Sequence, residues 1–349
     1  MPTVKAYGAK SKTTPLEEIS IDRREPSAND VAIDIAYCGV CHSDIHQTRD
    51  EWNFNPPFPM VPGHEIIGHV TAVGANVTHF KVGDKVGVGC LVDSCQHCKG
   101  CDNHLEQHCP NKVATYASID PKYNMVTHGG YSQQIVVDKN FVLKIPENLD
   151  LAAAAPLLCA GITTWSPLQQ WNVGEGDRVG IIGLGGLGHM GVKLAKALGA
   201  KVTMITRSAS KGEDAIKLGA DAVLLSNDCE AMAAAKGSFD FLLNTIPIDH
   251  DFNQYLELLA FNGTMVFVGT IEPLTHGFSG ADLVLNRKKI AGSLIGGLKE
   301  TQEMLDFCGK HHITSDIELI NIQDINEAYE RTIKGDVKYR FVIDLKSLA

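Results

Sequence analysis

Residues Arg178-Val179-Gly180-Ile181-Ile182 run directly into Gly183-Leu184-Gly185-Gly186-Leu187-Gly188, then a helical stretch from His189 to Leu198 and a second apolar segment from Lys201 to Ile205. A Gly-x-Gly-x-x-Gly string alone is weak. Placed after a buried-looking strand and at the opening of a helix, it has the context of a dinucleotide fingerprint, in which the glycines let the backbone approach a pyrophosphate at the helix amino terminus. Further apolar runs at Ala222–Leu225, Phe239–Leu243 and Thr264–Val268 alternate with helical candidates. That alternation predicts an α/β, Rossmann-type doubly wound parallel sheet.

Cofactor choice rests on the end of the second strand, where an NAD-specific fold places Asp or Glu on the ribose hydroxyls. Here Thr206 takes that place and is followed by Arg207, Ser208 and Lys211. A basic turn is more often plain surface, but losing the carboxylate and gaining cations at one spot makes a pocket for a 2′-phosphate. NADP(H) is expected rather than NAD.

A chain of 349 residues is long enough for two domains, because a single hydrophobic core rarely grows past about 250 to 300 residues. The first 150 residues or so carry short alternating runs, Val31–Tyr37, His69–Gly74, Lys81–Val88 and Tyr131–Val137, separated by turns. They predict a compact, mainly β lobe. The balance of 31 basic against 41 acidic residues, net −10, with no basic block, argues against nucleic acid or an anionic membrane as partner. Without an export signal or a long apolar stretch, a cytoplasmic protein with reduced thiols is expected.

Inside the β lobe, Cys95, Cys98, Cys101 and Cys109 place four thiols at spacings of three, three and eight. Four thiolates complete a tetrahedral shell, as in a structural zinc. An iron–sulfur cluster is the rival, since Cys-x2-Cys-x2-Cys opens some ferredoxin motifs and Cys109 precedes Pro110. His97, His104 and His108 share the loop; four cysteines suffice, so these face solvent.

The strand-like Val31–Tyr37 leads to Cys41-His42-Ser43-Asp44-Ile45-His46. Such polar runs are usually loops. Gly63-His64-Glu65 and Cys159 add donors far away in sequence. Two thiolates and an imidazole would leave a fourth tetrahedral position open, as catalytic zinc sites do, although the sequence does not show that they meet.

These three segments resemble the zinc-dependent medium-chain alcohol dehydrogenases, with wording nearest the cinnamyl alcohol dehydrogenase branch, nearly end to end. The resemblance implies a barrel-like (GroES-like) catalytic domain of residues 1–153 and 294–349, a nucleotide-binding domain of residues 154–293, and an active site in the cleft between them. It implies two zinc ions per chain, one held by Cys41, His64 and Cys159 and one by the four clustered cysteines. It also implies a proton relay from Ser43 through a cofactor ribose hydroxyl to His46. Taken singly, Ser43 could cap a helix and His46 could simply be solvated.

By the same resemblance Asp44 supports the zinc imidazole, and Glu65 is a carboxylate beside the metal that can replace a departing ligand. His42 stands where relatives contact the cofactor pyrophosphate, as does Arg340, while Ser293 and Ile295 pass near the nicotinamide. Trp52, Cys90 and Ile295 take substrate-pocket positions. Cys38, Cys229 and Cys308 are left to packing. The expected activity is NADPH-preferring reduction of aldehydes, aromatic ones included, by a homodimer formed through the edge of the nucleotide-binding sheet. An NAD-dependent polyol or secondary-alcohol dehydrogenase is the enzymatic alternative. A non-catalytic NADPH-binding redox sensor is the other.

Overall fold

The computed structural model describes residues 2–269 and 272–348. The chain divides into two compact units, with breaks after Cys159 and after Ile295. Residues 154–159, which the resemblance assigns to the nucleotide unit, cluster with the first one, and residues 294–295, assigned to the first, cluster with the second. The 3-10 turn Ala155–Leu158 is fully apolar, and Leu157 and Leu158 are buried, Leu158 against Gly87 of the first sheet.

In the first unit, strand β1 (Asp30–Gly39) pairs antiparallel with β2 (Ile66–Val73), β2 with β3 (Lys85–Val88), β4 (Gln134–Asp138) with β1, and β5 (Leu143–Lys144) with β3. β1 alternates as a half-buried strand should, with Val31, Ile33 and Ile35 inside and Asp34 outside. Its pairing with β2 shifts register twice, at Ala32/Ile33 and Ile35/Tyr37. β1 delivers the chain into helix α1 (His42–Thr48). The run Lys81–Val88 becomes a strand only from Lys85. Before it, Asp84 N–H donates to Lys81 C=O and Lys81 N–H to the Asp84 carboxylate, closing a turn through left-handed Gly83.

The second unit holds β6 (Arg178–Ile182), helix α2 (Gly188–Ala197), β7 (Lys201–Thr206), helix α3 (Ala209–Lys217), β8 (Ala222–Leu225), β9 (Phe239–Asn244), β10 (Leu259–Phe267) and β11 (Lys289–Gly292). All neighbours are parallel, in the order β8-β7-β6-β9-β10-β11. Strand order reverses between β6 and β9, the switch point at which such sheets bind nucleotides beyond their carboxyl ends. The glycine turn lies there. A Cβ on Gly188 would fall 1.9 Å from the Gly183 carbonyl, so only glycine lets α2 start this close to β6. Gly185 is exposed, with open space where a Cβ would point.

After Gly296 the chain returns to the first sheet. β12 (Ile317–Asn321) lies parallel to β13 (Arg340–Asp344), and β13 pairs antiparallel with β1, giving seven strands. Neither return strand stands out in sequence. Among the described residues, no single helix is long and apolar enough to cross a membrane.

Candidate active site

Cys41 caps α1 in an extended conformation (φ −116°, ψ 151°). Its N–H donates to Asp44 Oδ2 at 2.9 Å, satisfying one of the donors that a helix start leaves open. Asp44 is wholly buried. Its Oδ1 accepts from His64 Nδ1 at 3.0 Å and from Gly63 N–H at 3.2 Å, and the Tyr131 hydroxyl donates to Oδ2 at 3.3 Å. A carboxylate can only accept, so His64 carries its proton on Nδ1 and offers the Nε2 lone pair to a metal. Gly63 sits at φ +105°, and a side chain there would strike Tyr131, Cys38 and Gly130 within 3 Å. That glycine is what lets His64 enter the buried cluster.

One donor atom from each of Cys41, His64, Glu65 and Cys159 lies within 4.8 Å of the others. The two sulfurs are 4.0 Å apart. Sharing a hydrogen bond holds the Cys41 thiol well below its usual range and pushes Cys159 well above it, so one proton serves both sulfurs. A divalent cation removes that conflict by taking both as thiolates. Glu65 is fully buried and pairs through Oε1 with Arg340, while its Oε2 has no hydrogen-bond partner. Burial pushes its carboxyl up to about 7 against the pull of Arg340. Two thiols, an imidazole and an orphaned buried carboxylate oxygen suit zinc. Arg340, 5 % exposed, thus sits with the metal donors, paired to Glu65.

The donors of Cys95, Cys98, Cys101 and Cys109 also lie within 4.8 Å of one another, with Cys98–Cys101 sulfurs 3.6 Å apart and Cys95–Cys109 3.5 Å. Backbone N–H groups of Cys95 and Asn111 point at the Cys109 sulfur at 3.5 and 3.3 Å, stabilising thiolate charge. His97, His104 and His108 are exposed. Four sulfurs would complete a tetrahedral shell, which suits a metal that holds the loop rather than one that meets a substrate. Cys98→Ala should therefore keep the catalytic chemistry in whatever fraction stays folded but lower unfolding free energy by about 4 kcal/mol or more. Chemical denaturation followed by circular dichroism reads that loss.

Ser43 lies in the first turn of α1, and His46 lies three residues on, along the same helix face. The His46 ring stacks on Trp52 (centroids 5.0 Å apart, planes 26° apart), and a cavity beside them is lined by Phe54, Tyr116 and Ala117. Tyr116 stacks on His64 at 5.8 Å, and its hydroxyl accepts from Gln47 at 2.9 Å. Tyr116 thus lines the cavity beside His46 and also contacts the His64 ring. Tyr116 and Tyr131 were not legible as site residues, because neither has a motif and both reach the cluster only through the folded chain. Cys90 borders the site: it shares a hydrogen bond with the Cys159 thiol and faces Leu158 C=O at 3.9 Å. His42 is exposed at the helix start.

In the nucleotide unit, Thr206 is buried at the end of β7. Ser208 caps α3, its Oγ accepting from Lys211 N–H at 3.3 Å. Arg207 and Lys211 are exposed and make no ion pair among the described residues. Ser293 N–H donates to Phe267 C=O, and Ile295 is held at φ +37°, a region costly for a β-branched residue. Cys38 and Cys308 are buried as packing residues. Cys229 is not: it is exposed at the first position of a short helix, Cys229–Ala234, whose inward face is taken by Ala231 and Met232.

A zinc-type donor set on a β lobe, joined to a Rossmann sheet, defines a zinc-dependent medium-chain dehydrogenase. The chain belongs to that alcohol dehydrogenase family, in its cinnamyl alcohol dehydrogenase-like branch: residues 27–147 match the alcohol dehydrogenase GroES-like domain and residues 186–310 the zinc-binding dehydrogenase domain. It is 54 % identical over 346 residues to the aldehyde reductase YahK of Escherichia coli, covering 99 % of each chain. It is 53 % identical over 350 residues to the NADP-dependent alcohol dehydrogenase C 1 of Mycolicibacterium smegmatis, covering 100 % of this chain and 99 % of that one. A cinnamyl alcohol dehydrogenase from Helicobacter pylori, solved with NADP(H), superimposes with a TM-score of 0.91 at 44 % identity, covering 99 % of this chain and 98 % of the other.

Proposed function

We propose that this protein is a zinc-dependent, NADPH-preferring aldehyde reductase that also runs the reverse alcohol oxidation. The carrying observation is the convergence of Cys41, His64, Cys159 and Glu65 into one buried donor set, in a chain similar end to end to an aldehyde reductase. When bound, zinc supplies Lewis acidity toward a carbonyl oxygen and NADPH supplies the hydride. The chain's own residues do the rest. Cys41, His64 and Cys159 hold the metal, with Asp44 fixing the His64 tautomer. Ser43 gives a proton to the product oxygen, and His46 exchanges that proton with water. Arg207, Ser208 and Lys211 hold the 2′-phosphate, Gly185 leaves room for the pyrophosphate, and Trp52 and Cys90 shape the pocket for aldehydes, aromatic ones among them.

Steady-state NADPH oxidation with aromatic, short aliphatic and long aliphatic aldehydes tests this directly. Turnover with several aldehydes is expected; none at all in zinc-replete enzyme would favour the redox-sensor alternative, and preference for NADH with polyols the other. A cytoplasmic homodimer belongs to the same reading. β11 is an open edge of the nucleotide sheet, and Val284 and Leu285 are exposed on the short helix before it. Light scattering that gives a monomer mass would count against the dimer.

A further inference from the structure

Helix α4 (Leu298–His311), which opens the return to the first sheet, starts without a cap of its own. Its N-cap residue is Gly297, which has no side chain to accept from the N–H groups of the first turn. The cap comes instead from Glu106, 192 positions away, whose Oε2 accepts from Leu298 N–H at 3.0 Å. A carboxylate at this end of a helix is also favoured by the helix dipole. The approach is too close for any side chain on Gly297: a Cβ there would fall 1.8 Å from the His104 carbonyl oxygen and 2.8 Å from Glu106 Oε2.

Both partners belong to the four-cysteine loop, and each is tied to the backbone of one of its cysteines. His104 N–H donates to Cys101 C=O at 2.9 Å, and Cys109 N–H donates to Glu106 C=O at 2.9 Å. Glu106 therefore stands between Cys101 and Cys109, whose sulfurs share one shell. The body of α4 has separate ties: Gln302 exchanges hydrogen bonds with the Lys144 backbone of β5 at 2.9 and 3.0 Å, and the Asn148 amide donates to Gly309 C=O at 2.8 Å. Losing Glu106 should loosen the first turn and leave the rest of the helix in place.

Upstream of α4 the chain has just left β11. Ser293 N–H is fixed on Phe267 C=O at 3.0 Å and Leu298 N–H on Glu106, so residues 294–297 run between two anchors. Within that run Ile295 is held at φ +37°, which a β-branched residue adopts only under constraint from its surroundings. We propose that Glu106 is a positioning residue for the cofactor: through it the four-cysteine shell fixes the downstream anchor, and thereby the course of residues 293–295 beside the nicotinamide. This inference rests on reading that segment as the nicotinamide's neighbour in an NADPH-binding enzyme. It gives the shell a part in cofactor binding beyond the stability of its own loop.

The test uses the zinc-loaded full chain and follows NADPH binding by its fluorescence, without aldehyde. Glu106→Ala should keep two zinc ions per chain and raise the NADPH Kd about tenfold, a change within the reach of one helix cap. Adenosine 2′,5′-bisphosphate, which carries the 2′-phosphate but no nicotinamide, should bind Glu106→Ala and wild type alike. In turnover, KM for NADPH should rise with kcat little changed. Glu106→Gln, whose carbonyl can still accept from Leu298 N–H, should recover most of the affinity. An unchanged NADPH Kd in Glu106→Ala would overturn the proposal, as would equal weakening of the bisphosphate, the mark of general damage to the nucleotide unit. Loss of a zinc ion would do the same, because Glu106 would then serve the shell and not the helix. Wild type that fails to bind NADPH at all would overturn the proposed function and this inference with it, a failure read before any variant is made.

Discussion

Cys159→Ala is expected to remove one of two zinc ions per chain and to reduce aldehyde turnover at least about 10³-fold, because Lewis-acid stabilisation of the reacting oxygen is worth several kcal/mol. Cys159 ends the turn Ala155–Leu158, and its sulfur is one of only two thiols in the buried donor set. Without it, His64, Cys41 and Glu65 remain, and Glu65 shares its charge with Arg340 through Oε1, which weakens Oε2 as a replacement donor. The fold should survive, since the substitution removes a single sulfur atom from a segment anchored by Leu157 and Leu158. A cost of about 1–2 kcal/mol is in keeping with one small core deletion. Elemental analysis, a thermal unfolding curve and NADPH oxidation on one preparation read all three quantities. Retention of two zinc ions, or of turnover, would mean that Cys159 is not a ligand; iron in place of zinc would overturn the metal assignment at both sites.

What the sequence discloses is whatever is carried by local spacing. The strand, glycine turn and helix from Arg178 to Ala197 could be placed within a residue, because a turn that needs glycines and a helix that follows it are written in consecutive positions. The four clustered cysteines are similarly local. The open metal set is not: Cys41, His64 and Cys159 lie on three separate segments, and only the resemblance to a family joined them in advance. Partners further out had no signal at all. Tyr131 is 87 positions from Asp44, and Arg340 is 275 from Glu65, yet each contact is made once β4 and β13 flank β1. Strands β11 and β12 were missed because their burial is mixed and their alternation weak, and β13, buried from Arg340 to Ile343, because it is short and opens on a charged residue. Cys229 was misplaced because hydrophobic character says nothing about whether a helix face finds a partner.

The pairing of the Glu51 carboxylate with His46 Nδ1 shows the same limit from the other side. Glu51 is five residues from His46, near enough to be noticed, but the pairing depends on a left-handed Asp50, which sequence does not announce. Metal, proton and hydride chemistry therefore rest on contacts of different sequence range, and substitutions should separate them. The cofactor pocket is the most local of these and gives the sharpest outcome.

Thr206→Asp combined with Arg207→Ala is expected to reverse cofactor preference while leaving both zinc ions in place. Thr206 ends β7 at the position where a carboxylate would accept from ribose hydroxyls, and Ser208 and Lys211 lie on the first turn of α3 beyond it. Arg207 and Lys211 reach solvent with no ion pair among the described residues, so their charge is available to a 2′-phosphate. Charge-assisted hydrogen bonds of this kind contribute about 1.5–3 kcal/mol each. Two of them imply a wild-type ratio of kcat/KM for NADPH over NADH of about 10²–10⁴, at 1.4 kcal/mol per factor of ten. The double variant removes one contact and adds an acceptor that repels phosphate and welcomes the hydroxyls. NADH should then be preferred, measured with one aldehyde at fixed ionic strength, since screening would otherwise blur a surface-exposed pocket. The zinc donors sit in the other unit of the chain and none is touched, so metal content separates a changed cofactor pocket from a damaged enzyme. A wild-type ratio near one, or a double variant that keeps the original preference, would show that this turn is ordinary solvated surface.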